Sequence, residues 1–101
     1  MSNRTLGFGI IGTGAIAAFH GKAIAAIEGA KLMSVYSRTP DHARRFAQSH
    51  GSVDVATSVK ELVIRPDVHA ICITTPSALH REPALAAIQA GKHVMIEKPI
   101  D

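Results

Sequence analysis

LGFGIIGTGAIA, residues 6–17, decides the fold. Its first half, LGFGII at 6–11, is an apolar run of the length of one buried strand. Its second half, Gly12-Thr13-Gly14-Ala15-Ile16-Ala17, spells G-x-G-x-x-A. From Ala15 the spacing becomes helical: Ile16, Phe19, Ala23, Ile24 and Ile27 recur three and four apart. Gly29 stands where a left-handed residue would cap that helix. Strand, glycine turn and helix in direct succession open a βαβ unit. The first glycine allows the tight turn, the second lets a pyrophosphate approach the backbone, and Ala17 lets the helix pack closely on the strand. Free amides and the dipole at the helix start attract phosphate. A glycine motif alone also fits a bare strand-to-helix turn, so the surroundings must support the reading.

Working outward, 31–36 reads as a second strand, and Thr39-Pro40-Asp41 as a helix start with a cap, a first-turn proline and an acid near the positive end of the dipole. That helix is expected to reach about His50, with Gly51 closing it, before a short strand at 53–55. Ser58-Val59-Lys60-Glu61 fits a capping box, in which Ser and Glu side chains satisfy each other's backbone donors. The helix it opens must stop near Arg65, because Pro66 disfavours helical geometry before it. Residues 68–74 read as an apolar strand covered on both faces. Pro83 is tolerated only in a first turn, so the next helix starts near 80–82, carried on by Leu85, Ile88 and Gln89 and ended by Gly91. The segment 93–96 is a fifth strand. The pattern βαβαβαβαβ predicts an α/β fold: a doubly wound parallel sheet of strand order 3-2-1-4-5 that binds ligands beyond the carboxyl ends of its strands.

Composition bounds the rest. At 101 residues there is room for one core. With 47% hydrophobic and 19% charged residues the balance is globular, not disordered. Eleven Lys and Arg against eight Asp and Glu leave +3, but the basic residues are scattered and aromatics are only 4%, so no nucleic-acid partner is expected. The apolar runs fall far short of the ~20 residues of a membrane span, and glycines interrupt the N-terminal one, so neither a membrane nor a signal peptide is expected and a cytoplasmic location is. One cysteine excludes an internal disulfide.

Candidate chemistry lies at strand ends. An NAD site usually carries an acid about 20 residues beyond the glycines. Here Tyr36-Ser37-Arg38-Thr39 stands there instead. Ser37 can donate a hydrogen bond and Arg38 can ion-pair with an extra phosphate or stack on adenine, so NADP is expected, with NAD as the alternative. Asp41 is accounted for by its helix first turn, and an ordinary solvated Arg38 is the competing reading. Past the fifth strand, Glu97-Lys98-Pro99 offers a carboxylate for ribose hydroxyls and a lysine for a substrate oxygen, although such a pair also fits a solvated turn. His20 and His42 are expected to pack or face solvent, whereas His80 closes the loop at 75–79, where a bound ribose or nicotinamide would pass. Cys72 is expected to be a small buried side chain, and no metal cluster is visible.

GIIGTGAIAAFH at 9–20, YSRT at 36–39, TTPSALHREPALAAIQAGKH at 74–93 and EKPID at 97–101 together resemble the Gfo/Idh/MocA oxidoreductases. The resemblance covers almost the whole chain. It implies a Rossmann domain that binds NAD(P), followed in the family by an α/β substrate domain. It implies cofactor contacts from Gly12, Thr13, Gly14, Ala15 and Ile16, from Ser37 and Arg38, from Thr75, Pro76, Ser77 and His80, and from Glu97 and Lys98. Lys98 would be the catalytic residue, reaching the oxygen of a sugar or polyol. Ser77 stands where many relatives carry Asn. Residues 1–101 are expected to form an incomplete Rossmann domain, truncated before its last helix and strand, with the substrate domain absent and little or no turnover by itself. The fifth strand then has an open outer edge, and a homo-oligomer is expected. A non-catalytic NAD(P)-binding sensor or scaffold is the alternative; it would keep the glycine loop without needing Lys98.

Overall fold

A computed structural model describes residues 5–75 and 81–97. Strands β1 (Leu6–Ile11), β2 (Ala30–Tyr36), β3 (Asp54–Val55), β4 (Ala70–Ile73) and β5 (His93–Ile96) alternate with helices α1 (Ala15–Ala26), α2 (Pro40–Ser49), α3 (Val59–Val63) and α4 (Arg81–Gln89). The five strands form one sheet of order β3-β2-β1-β4-β5, and every neighbouring pair is parallel. The predicted architecture and strand order are the observed ones. The candidate site residues therefore gather along one edge, where the parallel strands all end.

The central strands of the sheet are covered on both faces, which is why they are apolar without alternation. On one face, Ile10, Val35 and Cys72 pack with Ala17 and Ile24 of α1 and Phe46 of α2. On the other, Ile11, Ile71 and Ile73 pack with Leu62 of α3 and Ala84 and Ala87 of α4. Adjacent residues such as Ile10 and Ile11 thus serve opposite cores, as the twofold period of a strand requires.

Two helical faces differ from the periodic reading. The stripe of α1 that meets the sheet is Ala17, Gly21 and Ile24, whereas Ile16 is exposed and Phe19 is 68% exposed. In α4 the buried residues are Pro83, Ala84 and Ala87, and Ile88 is 60% exposed. Small side chains win these faces because they let a helix axis come close to the sheet. A Cβ on Gly21 would stand 2.5 Å from the His50 ring. The period was right and the phase was set by size rather than by hydrophobicity.

Boundaries shift for local reasons. The first helix stops at Ala26, and Gly29 (φ +86°) does not cap it but turns the chain into β2, its carbonyl accepting from Leu6 N–H at 2.7 Å. The ladder of the fourth strand is only Ala70–Ile73; Val68 is buried ahead of it, and β3 starts at Asp54. Ser58 Oγ accepts from Glu61 N–H at 3.0 Å as a capping box requires, but the Glu61 carboxylate returns to Thr57, accepting from its N–H at 3.1 Å and its hydroxyl at 2.8 Å. At α2, Thr39 holds the N-cap position without a side-chain capping bond.

The corner between α3 and β4 is held by charge. Arg65 grips Asp67 through Nε at 2.9 Å and Nη2 at 2.8 Å and reaches Asp54 at 2.9 Å, while Lys92 Nζ donates to the carbonyls of Arg65 and Val68. The Arg65 guanidinium, through its hydrogen bonds first, holds the Asp67 carboxyl below its ordinary value. A depressed carboxyl stabilises the fold above its unfolded-state value and loses that stabilisation as pH falls through the folded value. The melting temperature is therefore expected to fall as pH drops below about 4, and Asp67→Asn should flatten that acid limb. Because Asp67 is 39% exposed, the contribution is held to less than about 1 kcal/mol. Melts at a series of acid pH values check this; identical profiles for both proteins would remove Asp67 from the acid response.

Candidate functional site

A cleft of about 1040 Å³ opens beyond the carboxyl ends of β1, β2, β4 and β5. Its floor is the turn after β1. Gly12 has φ +102°, a conformation that costs an L side chain, and its N–H donates to Tyr36 O at 2.8 Å. A Cβ there would stand 2.8 Å from Thr74 Oγ1 and 3.0 Å from Thr75 N. Thr74 is fixed in turn, its N–H and hydroxyl both donating to Ile11 O, at 2.9 and 3.2 Å. Gly12 is thus where the ends of β1, β2 and β4 close on one another.

Gly14 is different. It has ordinary extended geometry as the N-cap of α1 (φ −81°), and a Cβ placed on it would meet nothing within 4 Å. No side chain caps this helix start and no acid occupies its first turn. The first amides of a helix need acceptors, and the dipole adds positive potential. Open space before Gly14, uncapped amides behind it and a cleft in front are the requirements of a backbone phosphate cradle. The structure fits a dinucleotide at this position.

Of the residues singled out from sequence, Gly12, Thr13, Gly14, Ile16, Ser37, Arg38, Thr75 and Glu97 line this one cleft, and Ala15 begins the helix between them. Pro76, Ser77, His80 and Lys98 lie outside the described residues. Ser37 Oγ accepts from Thr39 N–H at 3.2 Å, which leaves its hydroxyl hydrogen free to donate.

Five cleft residues were missed: Thr39, His42, Arg45, Phe46 and Thr74. Arg45, His42 and Phe46 of α2 form the wall next to Arg38. Part of the signal was present, because His42 and Arg45 stand three apart on α2 and so share one helical face, while Arg38 precedes the helix. Asp41, the nearest acid, is ion-paired with Arg44. Among the described residues, Arg38, His42 and Arg45 carry no ion pair. This end of the cleft is cationic.

The opposite end carries Glu97, whose N–H donates to Ile73 O at 3.0 Å and whose Oε1 lies 3.1 Å from His20 Nε2. His20 therefore neither packs idly nor faces solvent: its side chain is 13% exposed and tied across 77 residues to the cleft. Beneath lies Cys72, whose thiol is pushed up by burial first and by the Glu97 charge second, which makes it a poor nucleophile. Among the described residues no group of three His, Cys, Asp or Glu could hold a metal ion. No helix among them is long and apolar enough to cross a membrane.

Comparison with known proteins agrees with this geometry. The family model described as "Oxidoreductase family, NAD-binding Rossmann fold" matches residues 6–101. Inositol 2-dehydrogenase of Gluconacetobacter diazotrophicus is 40% identical over 98 residues, covering 95% of this chain and 29% of that protein. Biliverdin reductase of Synechocystis, solved with biliverdin and NADP+, superposes with a TM-score of 0.86 at 32% identity, over 93% of this chain and 29% of that one. GenD2 from gentamicin A biosynthesis, solved in complex with NAD, superposes with a TM-score of 0.89 at 28% identity, over 95% of this chain and 27% of that one. The chain spans between 22% and 29% of the length of the curated relatives it matches.

Proposed function

Because this chain belongs to the Gfo/Idh/MocA oxidoreductases, we propose that it is the nucleotide-binding part of an enzyme that moves a hydride between nicotinamide and a secondary alcohol of a sugar or polyol, with NADP as its cofactor. The family is one of NAD(P)-binding dehydrogenases and reductases. The polyol reading is supported by the inositol dehydrogenases among its relatives. The NADP reading rests on one observation, the Arg38 and Arg45 guanidiniums that stand beside His42 in the cleft wall beyond β2, where the nearest acid in sequence, Asp41, is already paired.

When bound, the nicotinamide supplies the redox chemistry. The chain's residues bind and orient. The Gly12–Gly14 turn and the first amides of α1 hold the pyrophosphate. Ser37 donates to the adenosine side and Arg38 and Arg45 neutralise the 2′-phosphate, a fork-shaped donor being suited to that group. Glu97 accepts from ribose hydroxyls. Lys98, next in the chain, hydrogen-bonds the substrate oxygen and carries its proton, the one catalytic role assigned.

Parallel titration of the chain with NADPH and NADH at matched salt tests this. NADPH is expected to bind at least about tenfold more tightly, the equivalent of one charge-assisted hydrogen bond of roughly 1.5–3 kcal/mol. Arg38→Ala and Arg45→Ala should each erode that preference and leave NADH within about twofold. Tighter NADH binding, or equal losses for both cofactors, would overturn the assignment of NADP.

A further inference from the structure

The His20–Glu97 bond joins α1, the helix behind the phosphate cradle, to the far end of the cleft. From it we infer that His20 is a positioning residue, holding the Glu97 carboxylate as a fixed acceptor that sets the direction in which a dinucleotide lies. The inference rests on the dinucleotide reading above and deepens it.

The argument starts from the sheet order. β2 and β5 are separated by β1 and β4, three strand spacings or about 14 Å. The cationic residues stand at the end of β2 and the carboxylate at the end of β5, with the phosphate cradle between them at the end of β1. A dinucleotide has anionic phosphates at its centre and, in the NADP form, one more at the adenosine ribose. A carboxylate repels each of those and accepts from uncharged ribose hydroxyls. A cleft positive at one end and negative at the other therefore admits the ligand in one direction only.

That discrimination requires the carboxylate to stay in place. Glu97 is 38% exposed and could swing into water. Its backbone is anchored by the hydrogen bond to Ile73 O, and its side chain by His20 alone among the described residues. His20 is itself restrained, being mostly covered and set edge-on to Phe19 with ring centroids 5.8 Å apart. One carboxylate oxygen, Oε1, is taken by His20, and the other is left for the ligand. Removing the imidazole leaves the carboxylate free to rotate and forfeits the ordering it had before the ligand arrives.

The test compares NADPH with adenosine 2′,5′-bisphosphate, which occupies the cationic end and does not reach Glu97. In His20→Ala, NADPH affinity is expected to fall about tenfold, while the bisphosphate binds as it does to the unaltered chain. His20→Gln, which keeps an N–H donor, should recover NADPH binding to within about twofold. Glu97→Gln should reproduce the selective loss, and it supplies the answer if His20→Ala does not fold. Equal losses for both ligands would reduce His20 to a structural role and overturn the inference, as would unchanged NADPH binding in His20→Ala and Glu97→Gln. If the unaltered chain binds the bisphosphate and not NADPH, the inference fails while the nucleotide reading stands. If it binds neither, both fall.

Discussion

Gly7→Ala is expected to remove the cooperative thermal transition of the chain, or to lower it by about 15 °C or more. Gly7 lies in β1, where its N–H donates to His69 Nδ1 at 2.8 Å and its carbonyl accepts from His69 N–H at 2.8 Å. A Cβ on Gly7 would run into the Asp67 carbonyl oxygen and come within 2.9 Å of Met33 Cγ. The methionine can move, because its Cγ belongs to a flexible unbranched side chain that can change rotamer. The carbonyl cannot: its residue is gripped by Arg65, and the next carbonyl, of Val68, is held by Lys92. Relief therefore means pulling β1 away from the segment leading into β4 and losing both bonds to His69. Overpacking costs about 1–3 kcal/mol or more, and each lost bond adds roughly 1 kcal/mol. Against a total stability of about 5–15 kcal/mol, with each kcal/mol worth about 4–8 °C in a domain of this size, the loss is large. Circular dichroism melts check it. A transition within a few degrees of the unaltered chain would mean that the close approach at Gly7 is not needed for the fold.

The second large effect falls on binding and spares the fold. Gly14→Val is expected to lower the melting temperature by no more than about 4–8 °C and to weaken NADPH binding by roughly a hundredfold or more, equivalent to about 2.8 kcal/mol. The backbone at Gly14 is extended, which a β-branched residue accepts, and its Cβ meets no protein atom within 4 Å. Glycine is clearly preferred to apolar residues at an N-cap, and losing a favoured cap typically costs about 1 kcal/mol, so a stability cost of that size is expected. The same side chain would fill the space through which a phosphate reaches the first amides of α1. Fluorescence titration beside a thermal melt gives both readings. A chain that melts normally and still binds NADPH would show that the ligand does not pass before Gly14. The contrast with Gly7 and Gly12 is physical: those glycines face neighbouring backbone or a fixed threonine, and this one faces an empty cleft.

The same contrast separates what could be read in the chain from what could not. Residues 6–17 by themselves determined the strand, the turn and the helix start, because these depend on local backbone chemistry: a glycine at φ +102°, an uncapped helix and a run of strand-forming residues. The order of segments then determined the sheet order, because parallel strands need crossovers and crossovers of one hand leave few topologies. Ser37, Arg38 and Glu97 were legible as cleft residues for the same reason, each lying at a strand's carboxyl end. The buried faces of α1 and α4 were not legible from hydrophobicity, since Phe19 and Ile88 are more apolar than the Ala17 and Ala87 that replace them in the core. How near a helix may approach a sheet is a property of the pair. Arg45 and His42 belong to the cleft only because α2 is rotated with that face inward, and α2 is rotated so by Ala43, Phe46 and Ala47 packing below. The bond between His20 and Glu97 was wholly invisible, because it joins residues 77 positions apart that no local rule relates. Local chemistry determines which elements form and where strands end. Only the packed structure decides which side chains from different elements stand within hydrogen-bonding distance, because that distance is set by the cores between them.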